Sequence, residues 1–389
     1  MKLQSVAHII RSSFRKGAPA RLLEALADGC VKLKPSLARR YAPPANTHGA
    51  VMPLLLSDGR KSAMLDQIPS QTTRAERRFL YHFFSQFWTG QNVLEVGPFL
   101  GGTTRAIALG MLDNPRRAPQ ASLHTYDRFR YYMSGQSLRD FIAPLLANGE
   151  LAQRDVDEMG ESADFEAIFN RVHGKHEYNR LIRCVNAPLP DLPEELDATD
   201  NLFQPPAGIT FDAVFIDGCK SWFGTRYFMQ SVVPQAQVGA WFIFQDYAHH
   251  PCFWIPAFLG TFRDAFQLGL YVDSTYAFQL RQPLTVRDIQ ARFPESPDAW
   301  EEKQFEDLFR HLMQEACDRD DPRAQIVYGI QWAAALAYVG KKAVARRILN
   351  DHDRKCGSDG VDEWIRCVGY LTYYPGKTGS RLLKLDELP

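Results

Sequence analysis

The segment from residue 93 to residue 104, VLEVGPFLGGTT, restricts the possible folds more than any other part of the chain. Its apolar first half is typical of a buried parallel strand, and the run from Thr103 to Met111 is typical of a helix. Between the two, Gly97 lets the backbone approach a ligand closely, and Gly101 and Gly102 permit an unusual turn. A strand, a glycine turn and a helix in this order predict an α/β fold that holds a nucleotide-like cofactor at the turn.

Further apolar runs that end in polar residues predict the rest of a sheet. They cover residues 122–126, 181–185, 211–216 and 239–244, and a hairpin-like pair follows at 270–273 and 276–280. A helix is expected over residues 72–88, with Thr72 or Thr73 as its N-cap and Glu76 reaching back toward the cap. The alternation predicts an α/β fold class: a Rossmann-like, doubly wound, mostly parallel seven-stranded sheet with an antiparallel final strand.

Composition divides the chain into three parts. Residues 1–45 are basic, with apolar residues at helical spacing, and predict a helical N-terminal arm. Residues 46–284 contain the strands and a mostly helical insertion at about 130–180, and residues 285–389 predict an all-helical region with one tetratricopeptide-like hairpin. We expect the arm and the helical region to pack on the central domain or to contact a protein partner, including a second copy in a homo-oligomer. A membrane-surface helix is the alternative for the arm.

The charge balance limits the kinds of partner. The 389 residues include 45 basic and 45 acidic side chains, which argues against a nucleic-acid partner because phosphate binding needs a cationic footprint. No run of roughly 18 apolar residues occurs, so no transmembrane segment is predicted. The seven cysteines are scattered without a Cys-x-x-Cys pair, which indicates neither a disulfide framework nor a zinc cluster. We therefore expect a cytoplasmic globular protein.

Polar residues collect where the predicted strands end. They are Glu95, Asp127, Asn186, Asp217 and the pair Gln245 and Asp246. Each of them alone is a common helix cap or turn residue, but ligands of open α/β sheets bind beyond the carboxyl ends of the strands. Together they therefore predict a ligand site at this edge of the sheet.

The spacing of the glycines argues against a dinucleotide. A dinucleotide site needs Gly-x-Gly-x-x-Gly, whereas three residues separate Gly97 from Gly101. Glu95 at the mouth of the turn would repel a pyrophosphate and attract a cationic amino group. Asp127, after the second strand, is placed to accept hydrogen bonds from ribose hydroxyls.

These residues resemble a known cofactor motif. The pattern Glu95-x-Gly97-x-x-x-Gly101-x-Thr103-Thr104, with an acidic residue downstream, resembles motif I and the acidic loop of class I S-adenosylmethionine-dependent methyltransferases. Segments 62–65, 211–218 and 239–247 extend the resemblance to macrocin-type and catechol-type O-methyltransferases, over roughly residues 60–282. The cofactor residues that the resemblance implies are Glu95, Gly97, Gly101, Thr103, Thr104, Asp127 and Asp217, with Asn186 at the adenine edge.

The resemblance also implies a divalent metal, usually Mg²⁺. The positions that match the metal ligands of this family are Asp217, Gln245 and Asp246, and oxygen ligands of this kind suit Mg²⁺. Gln245 departs from the family, in which a second carboxylate is more usual, so a metal would bind more weakly here. The alternative is that Asp217 and Asp246 act as capping residues or as hydrogen-bond partners of the substrate.

Three side chains are candidates for the base that deprotonates the methyl acceptor. Lys220 lies three residues after Asp217 and resembles the Lys or His of the metal-dependent relatives. Its ordinary pKa is about 10.4, so a basic role needs nearby positive charge or desolvation to lower it. His249 and His250 follow the predicted metal ligands and titrate near neutrality, so they are the alternative. The alternative for Lys220 is that it is a solvated surface lysine without a role in the reaction.

From this resemblance we expect an S-adenosylmethionine-dependent O-methyltransferase that uses Mg²⁺ and transfers methyl to a hydroxyl of a sugar or small natural product. A metal-independent methyltransferase of nitrogen or carboxylate is one alternative, which the departure at Gln245 makes plausible. A non-catalytic scaffold protein that keeps the cofactor is the other.

Overall fold

A computed structural model describes most of the chain. The described residues are 50–51, 59–130, 134–159, 164–198, 201–249, 252–353, 371–373 and 381–383. The predicted arm over residues 1–45 lies outside them. Among the described residues, no helix is long and apolar enough to cross a membrane.

The strands form one large sheet and one small one. They are β1 (Ala50–Val51), β2 (Asn92–Val96), β3 (Leu123–Asp127), β4 (Ile182–Asn186), β5 (Phe211–Ile216), β6 (Ala236–Phe244), β7 (Phe266–Val272), β8 (Thr275–Leu280), β9 (Leu371–Tyr373) and β10 (Arg381–Leu383). The large sheet has the order β1-β7-β8-β6-β5-β2-β3-β4, and β9 pairs with β10. In the described part of the large sheet, β8 is antiparallel to both of its neighbours, and all other neighbouring strands are parallel to each other. The predicted fold class is confirmed, with the two-residue β1 added at one edge.

Helices connect the strands and follow the sheet. They are α1 (Gly59–Asp66), α2 (Arg74–His82), α3 (Gly102–Asp113), α4 (Gly135–Ala147), α5 (Gln153–Asp157), α6 (Glu166–Gly174), α7 (Glu195–Ala198), α8 (Trp222–Val232), α9 (Trp254–Thr261), α10 (Val286–Arg292), α11 (Glu302–Asp318), α12 (Pro322–Tyr338) and α13 (Lys342–Asp353). The insertion between β3 and β4 is mostly helical, as predicted, because it contains α4, α5 and α6.

The helix predicted over residues 72–88 changes its geometry halfway. After α2, residues Phe83–Phe87 form a π-helical turn, in which the Trp88 N–H donates to the Phe83 carbonyl at 3.1 Å. The Asn114 side-chain amide donates to the carbonyls of Phe84 (2.8 Å) and Trp88 (3.0 Å). A side chain from the loop after α3 therefore satisfies carbonyls that the end of a helix leaves without an intrahelical partner.

The start of α2 is fixed to the hairpin of β7 and β8. Thr73 and Glu76 form the predicted capping box, in which the Thr73 N–H donates to Glu76 Oε2 at 2.8 Å. The other carboxylate oxygen, Oε1, accepts hydrogen bonds from the hydroxyls of Ser274 (2.7 Å) and Thr275 (3.0 Å). Glu76 is buried, so these bonds replace the water that its carboxylate would otherwise bind.

The apolar core runs without interruption from the sheet into the C-terminal helices. One cluster of contacting buried side chains includes Val214 of β5, Phe258 of α9, Phe309 of α11 and Leu336 of α12. The predicted tetratricopeptide-like hairpin falls on α12 and α13, which are joined by a turn at Gly340 with φ +79°. The prediction that residues 285–389 are all-helical is wrong, because this region also contains β9 and β10. The helical region therefore packs on the sheet domain, and the boundary proposed at residue 284 stays a prediction.

Candidate functional site

A cleft opens beyond the carboxyl ends of the central strands. Its lining includes Gly97, the apolar side chains of Phe99, Tyr126, Phe165 and Leu189, and the polar side chains of Ser70, Gln71, Thr72, Thr103, Asp127, Arg128, Asp191, Asp217 and Lys220. The cleft encloses about 790 Å³, including space open to solvent.

The glycine turn forms one wall of the cleft. Gly97 has φ +82°, and a Cβ atom there would lie 2.7 Å from the Asp217 carbonyl oxygen, so the close approach of β2 and β5 requires glycine. Gly101 has φ +85° and precedes α3, but a Cβ atom there would lie 1.9 Å from Nε2 of His173. The packing of α6 thus accounts for Gly101, which does not line the cleft.

Glu95 lies beneath the turn rather than at its mouth. Its side chain is fully buried, and its carboxylate accepts hydrogen bonds from the hydroxyls of Thr103 (2.7 Å), Thr104 (2.7 Å) and Thr125 (2.9 Å). Burial raises the pKa of Glu95 to about 7, although the threonine hydroxyls act in the opposite direction. The expected direct contact of Glu95 and Thr104 with a ligand is therefore corrected: both support the turn from below, and only Thr103 reaches the cleft.

Asp127 ends β3 and lines the cleft. Its Oδ2 accepts from the Phe99 N–H and its Oδ1 from the Phe129 N–H, both at 3.0 Å. Burial raises the pKa of Asp127, and these backbone donors oppose the rise. A carboxylate oxygen has two lone pairs, so each oxygen retains the capacity to accept a hydroxyl from a ligand.

Asn186 lies outside the cleft, and Asp191 takes a place in its lining that the sequence analysis did not predict. The Asn186 side chain is exposed and donates to Glu166 at 2.5 Å. Burial raises the pKa of Asp191 to about 6, and the Arg128 guanidinium, 3.7 Å away, partly counteracts this rise. The signal in the sequence was weak, because Asp191 belongs to a proline-rich loop and follows no strand directly.

A buried chain of hydrogen bonds connects the glycine turn to the insertion. Nε2 of His173 lies 3.2 Å from the Leu100 carbonyl, and its Nδ1 lies 3.2 Å from the Tyr178 hydroxyl. Arg105, fully buried on α3, donates to the same hydroxyl at 2.8 Å. Burial lowers the pKa of His173 to about 3, so the ring is neutral and its Nε2–H donates to the carbonyl. The insertion thus holds the turn in place.

The predicted metal ligands meet an ammonium group. Nζ of Lys220 donates to Asp217 Oδ1 at 2.8 Å and also to Asp246 Oδ2. When the Gln245 amide is oriented to satisfy its neighbours, its nitrogen donates to Asp217 Oδ1 (3.1 Å) and Asp246 Oδ1 (2.5 Å). Lys220 and Gln245 therefore direct hydrogen-bond donors at both carboxylates. A Mg²⁺ ion requires oxygen ligands, so this arrangement does not fit the predicted metal.

Lys220 is also poorly suited to act as the base. Burial alone would lower its pKa, but the carboxylates of Asp217 and Asp246 raise it well above its ordinary value. An ammonium in contact with two carboxylates holds its proton. The predicted basic role of Lys220 is therefore corrected.

One of the two histidine alternatives, His249, lies on the neighbouring loop. His249 is exposed, and its ring, the Asp246 carboxylate and the Cys252 sulfur have ligand-type atoms within 4.8 Å of one another. The Gln331 side chain of α12 donates to the carbonyls of Tyr247 and His249, both at 2.9 Å. The C-terminal helices thus fix the loop that carries His249, and His250 lies outside the described residues.

Comparison with solved structures finds several O-methyltransferases. The O-methyltransferase NovP is 16% identical over 53% of this chain and 78% of that chain, with a TM-score of 0.35. The Podospora anserina methyltransferase PaMTH1, bound to S-adenosylhomocysteine, is 12% identical over 65% and 99%, with a TM-score of 0.33. TomG from Streptomyces achromogenes, in complex with S-adenosylmethionine, is 15% identical over 59% and 93%, with a TM-score of 0.32. No protein-family model and no curated protein matches the chain. Similarity this low carries no activity over to this chain.

Proposed function

We propose that the protein is an S-adenosylmethionine-dependent methyltransferase acting on a hydroxyl of a small molecule. The observation that carries the proposal is the position of Asp127, a partly accessible carboxylate at the end of β3 that faces the glycine turn after β2 across one cleft. A carboxylate in this position suits the two ribose hydroxyls of the cofactor, and the backbone at Gly97 allows close approach of its methionyl part.

The proposed roles follow from the two halves of the cleft. Gly97, Thr103 and Asp127 would contact the cofactor, with Asp191 accepting a further hydrogen bond from it. The acceptor would lie toward Asp217 and Lys220, at the end of β5. A sugar or small natural product remains the expected acceptor class, because a hydroxyl is the group that the resemblance implies.

The reaction needs in-line geometry and the removal of one proton. The acceptor oxygen forms a bond to the methyl carbon as the carbon–sulfur bond breaks, and that electron pair stays on sulfur to give S-adenosylhomocysteine. The hydroxyl proton passes to a base, a role for which we propose His249 because it lies beside Asp246 and is exposed to solvent.

Calorimetry with S-adenosylhomocysteine tests the cofactor assignment. We expect saturable binding by the wild type and at least about tenfold weaker binding by Asp127→Asn, because a good hydrogen bond to a charged group contributes about 1.5–3 kcal/mol. Asp140→Asn is the matched control, since Asp140 is an aspartate of α4 whose carboxylate accepts from Gln136 (2.8 Å) and does not line the cleft. Absence of binding, or equal affinities for the wild type and Asp127→Asn, would refute the assignment.

A metal-independent reaction is the second candidate. It is favoured by the donors that Lys220 and Gln245 direct at Asp217 and Asp246. A panel of hydroxyl, amine and carboxylate acceptors, assayed with and without EDTA, separates it from the Mg²⁺-assisted O-methyltransferase. Turnover that EDTA abolishes and Mg²⁺ restores would support the Mg²⁺-assisted reaction.

A further inference from the structure

We propose that the ammonium group of Lys220 takes the place of a divalent cation in this site. Its role in the reaction rests on the proposed methyltransferase function, but the occupancy of the site does not. The residue would offset part of the negative charge of Asp217 and Asp246 and present a positive charge to the methyl acceptor.

The contacts of Lys220 are the first observation that supports the proposal. Its Nζ bridges carboxylates from two adjacent strand ends, Asp217 after β5 and Asp246 after β6. The three side chains are 29%, 21% and 14% exposed, respectively, so the group is shielded from competing water without being sealed off. An ammonium in this position satisfies the same two carboxylates that a bound cation would need as ligands.

The orientation of the Gln245 amide is the second observation that supports the proposal. A metal site at these positions would use the Gln245 carbonyl oxygen, but with no ion between them that oxygen would face only the acceptor oxygens of Asp217 and Asp246. The reversed amide, whose nitrogen donates to both carboxylates, satisfies all three side chains. Two groups therefore donate hydrogen bonds to the carboxylates, and the single positive charge of Lys220 offsets one of their two negative charges. A divalent ion would have to displace the ammonium and reverse the amide, and both groups already have good hydrogen-bond partners.

The position of Lys220 in the cleft lining is the third observation that supports the proposal. An ammonium has three N–H donors, and two of them are directed at Asp217 and Asp246. Because Lys220 also lines the cleft, the third is available to an acceptor oxygen. A positive charge beside that oxygen favours its deprotonated form, which is the form that attacks the methyl group. Lys220 would thus act as a fixed electrostatic group and not as a base.

Direct measurement of cation binding tests the proposal without reference to turnover. The full chain is titrated with Mn²⁺, followed by electron paramagnetic resonance, and with Mg²⁺, followed by calorimetry. We expect the wild type to show no saturable binding below about 1 mM. Lys220→Met removes the ammonium from both carboxylates, so we expect its affinity for Mn²⁺ to rise about tenfold or more. Lys220→Arg keeps the charge and should bind no better than the wild type.

Lys61→Met is the matched control. Lys61 is also paired with a carboxylate, Asp113, and is 32% exposed, but it lies on α1 and does not line the cleft. This variant should bind Mn²⁺ no better than the wild type. A gain of affinity in Lys61→Met equal to that in Lys220→Met would overturn the proposal.

The wild type alone also decides the question if Lys220→Met does not fold. Saturable Mn²⁺ binding by the wild type that Asp246→Asn abolishes would overturn the proposal, and absence of such binding supports it. Failure of the methyltransferase assignment is recognised separately, because it would appear as absent binding of S-adenosylhomocysteine with the cation results unchanged.

Discussion

Replacement of Glu95 by glutamine should change how the stability of the protein depends on pH. The carboxyl is fully buried beneath the glycine turn, and its pKa is raised from 4.5 to about 7, chiefly by burial. The unfolded chain therefore loses this proton near pH 4.5, whereas the folded protein keeps it up to about pH 7. Between these values the folded state binds more protons, so the stability due to this group falls as pH rises and is lost above about pH 7.

The size of the effect follows from the shift in pKa. Each pKa unit corresponds to about 1.4 kcal/mol, so the full cost of ionising Glu95 in the folded protein is about 3 kcal/mol. A glutamine has nearly the same shape, can hydrogen-bond to the threonine hydroxyls and does not titrate. Relative to the wild type, Glu95→Gln should therefore gain about 2–3 kcal/mol of unfolding free energy between about pH 5 and pH 8.

Urea denaturation of both proteins at these two pH values measures the difference. Other carboxyls with raised pKa values contribute equally to the wild type and the variant, so they cancel in the comparison. Glu177→Gln is the control, because that side chain is 75% exposed and should give the same difference at both pH values. If the stabilities of the wild type and Glu95→Gln run parallel across the range, the threonine hydroxyls hold Glu95 ionised, and the reasoning is wrong.

Two further substitutions test how the cleft is supported. Gly97→Ala should destabilise the protein by about 1–3 kcal/mol and weaken binding of S-adenosylhomocysteine, because the φ of Gly97 is +82° and the new Cβ would meet the Asp217 carbonyl. Gly149→Ala is the control, because Gly149 has a similar φ of +76° but lies in open space. Its melting temperature therefore gives the contribution of φ alone. Gln331→Leu should cost about 1–3 kcal/mol by leaving the buried Tyr247 carbonyl without this donor, whereas the His249 carbonyl keeps its bond from the Cys252 N–H. We expect the variant to lower turnover while its affinity for S-adenosylhomocysteine, measured by calorimetry, stays within a few-fold.

The strands were predictable because their signals are local. An apolar run of five or six residues followed by a polar residue marks both the body of a strand and its end, and β5 matches its predicted bounds of 211–216. The π-helical turn at Phe83–Phe87 was not predictable, since the carbonyls of Phe84 and of the C-cap Trp88 are satisfied by Asn114, a residue about thirty positions away. A periodic pattern cannot show such a partner.

Residues at the strand ends could be predicted from the sequence. The order of the strands, which decides whether such a residue reaches the cleft, could not. Asp127 and Asp217 end central strands and line the cleft, whereas Asn186 ends β4, which lies at the edge of the sheet. The spacing of Lys220 from Asp217 indicated a polar group near the acceptor. Its second partner, Asp246, comes from the adjacent strand, and this pairing reverses the chemistry expected of the lysine.

The anchoring of α2 has a consequence for synthesis on the ribosome. Glu76 and its partners Ser274 and Thr275 are separated by 198 and 199 positions, and translation at about 5–20 residues per second places roughly 10–40 s between their appearances. During that interval the local hydrogen bonds of Thr73 can start α2. The apolar side chains of α2, such as Phe79 and Leu80, cannot yet pack near the hairpin of β7 and β8, because that hairpin has not been synthesised. A nascent chain halted before β7 should therefore bind chaperones more strongly than one halted after β8.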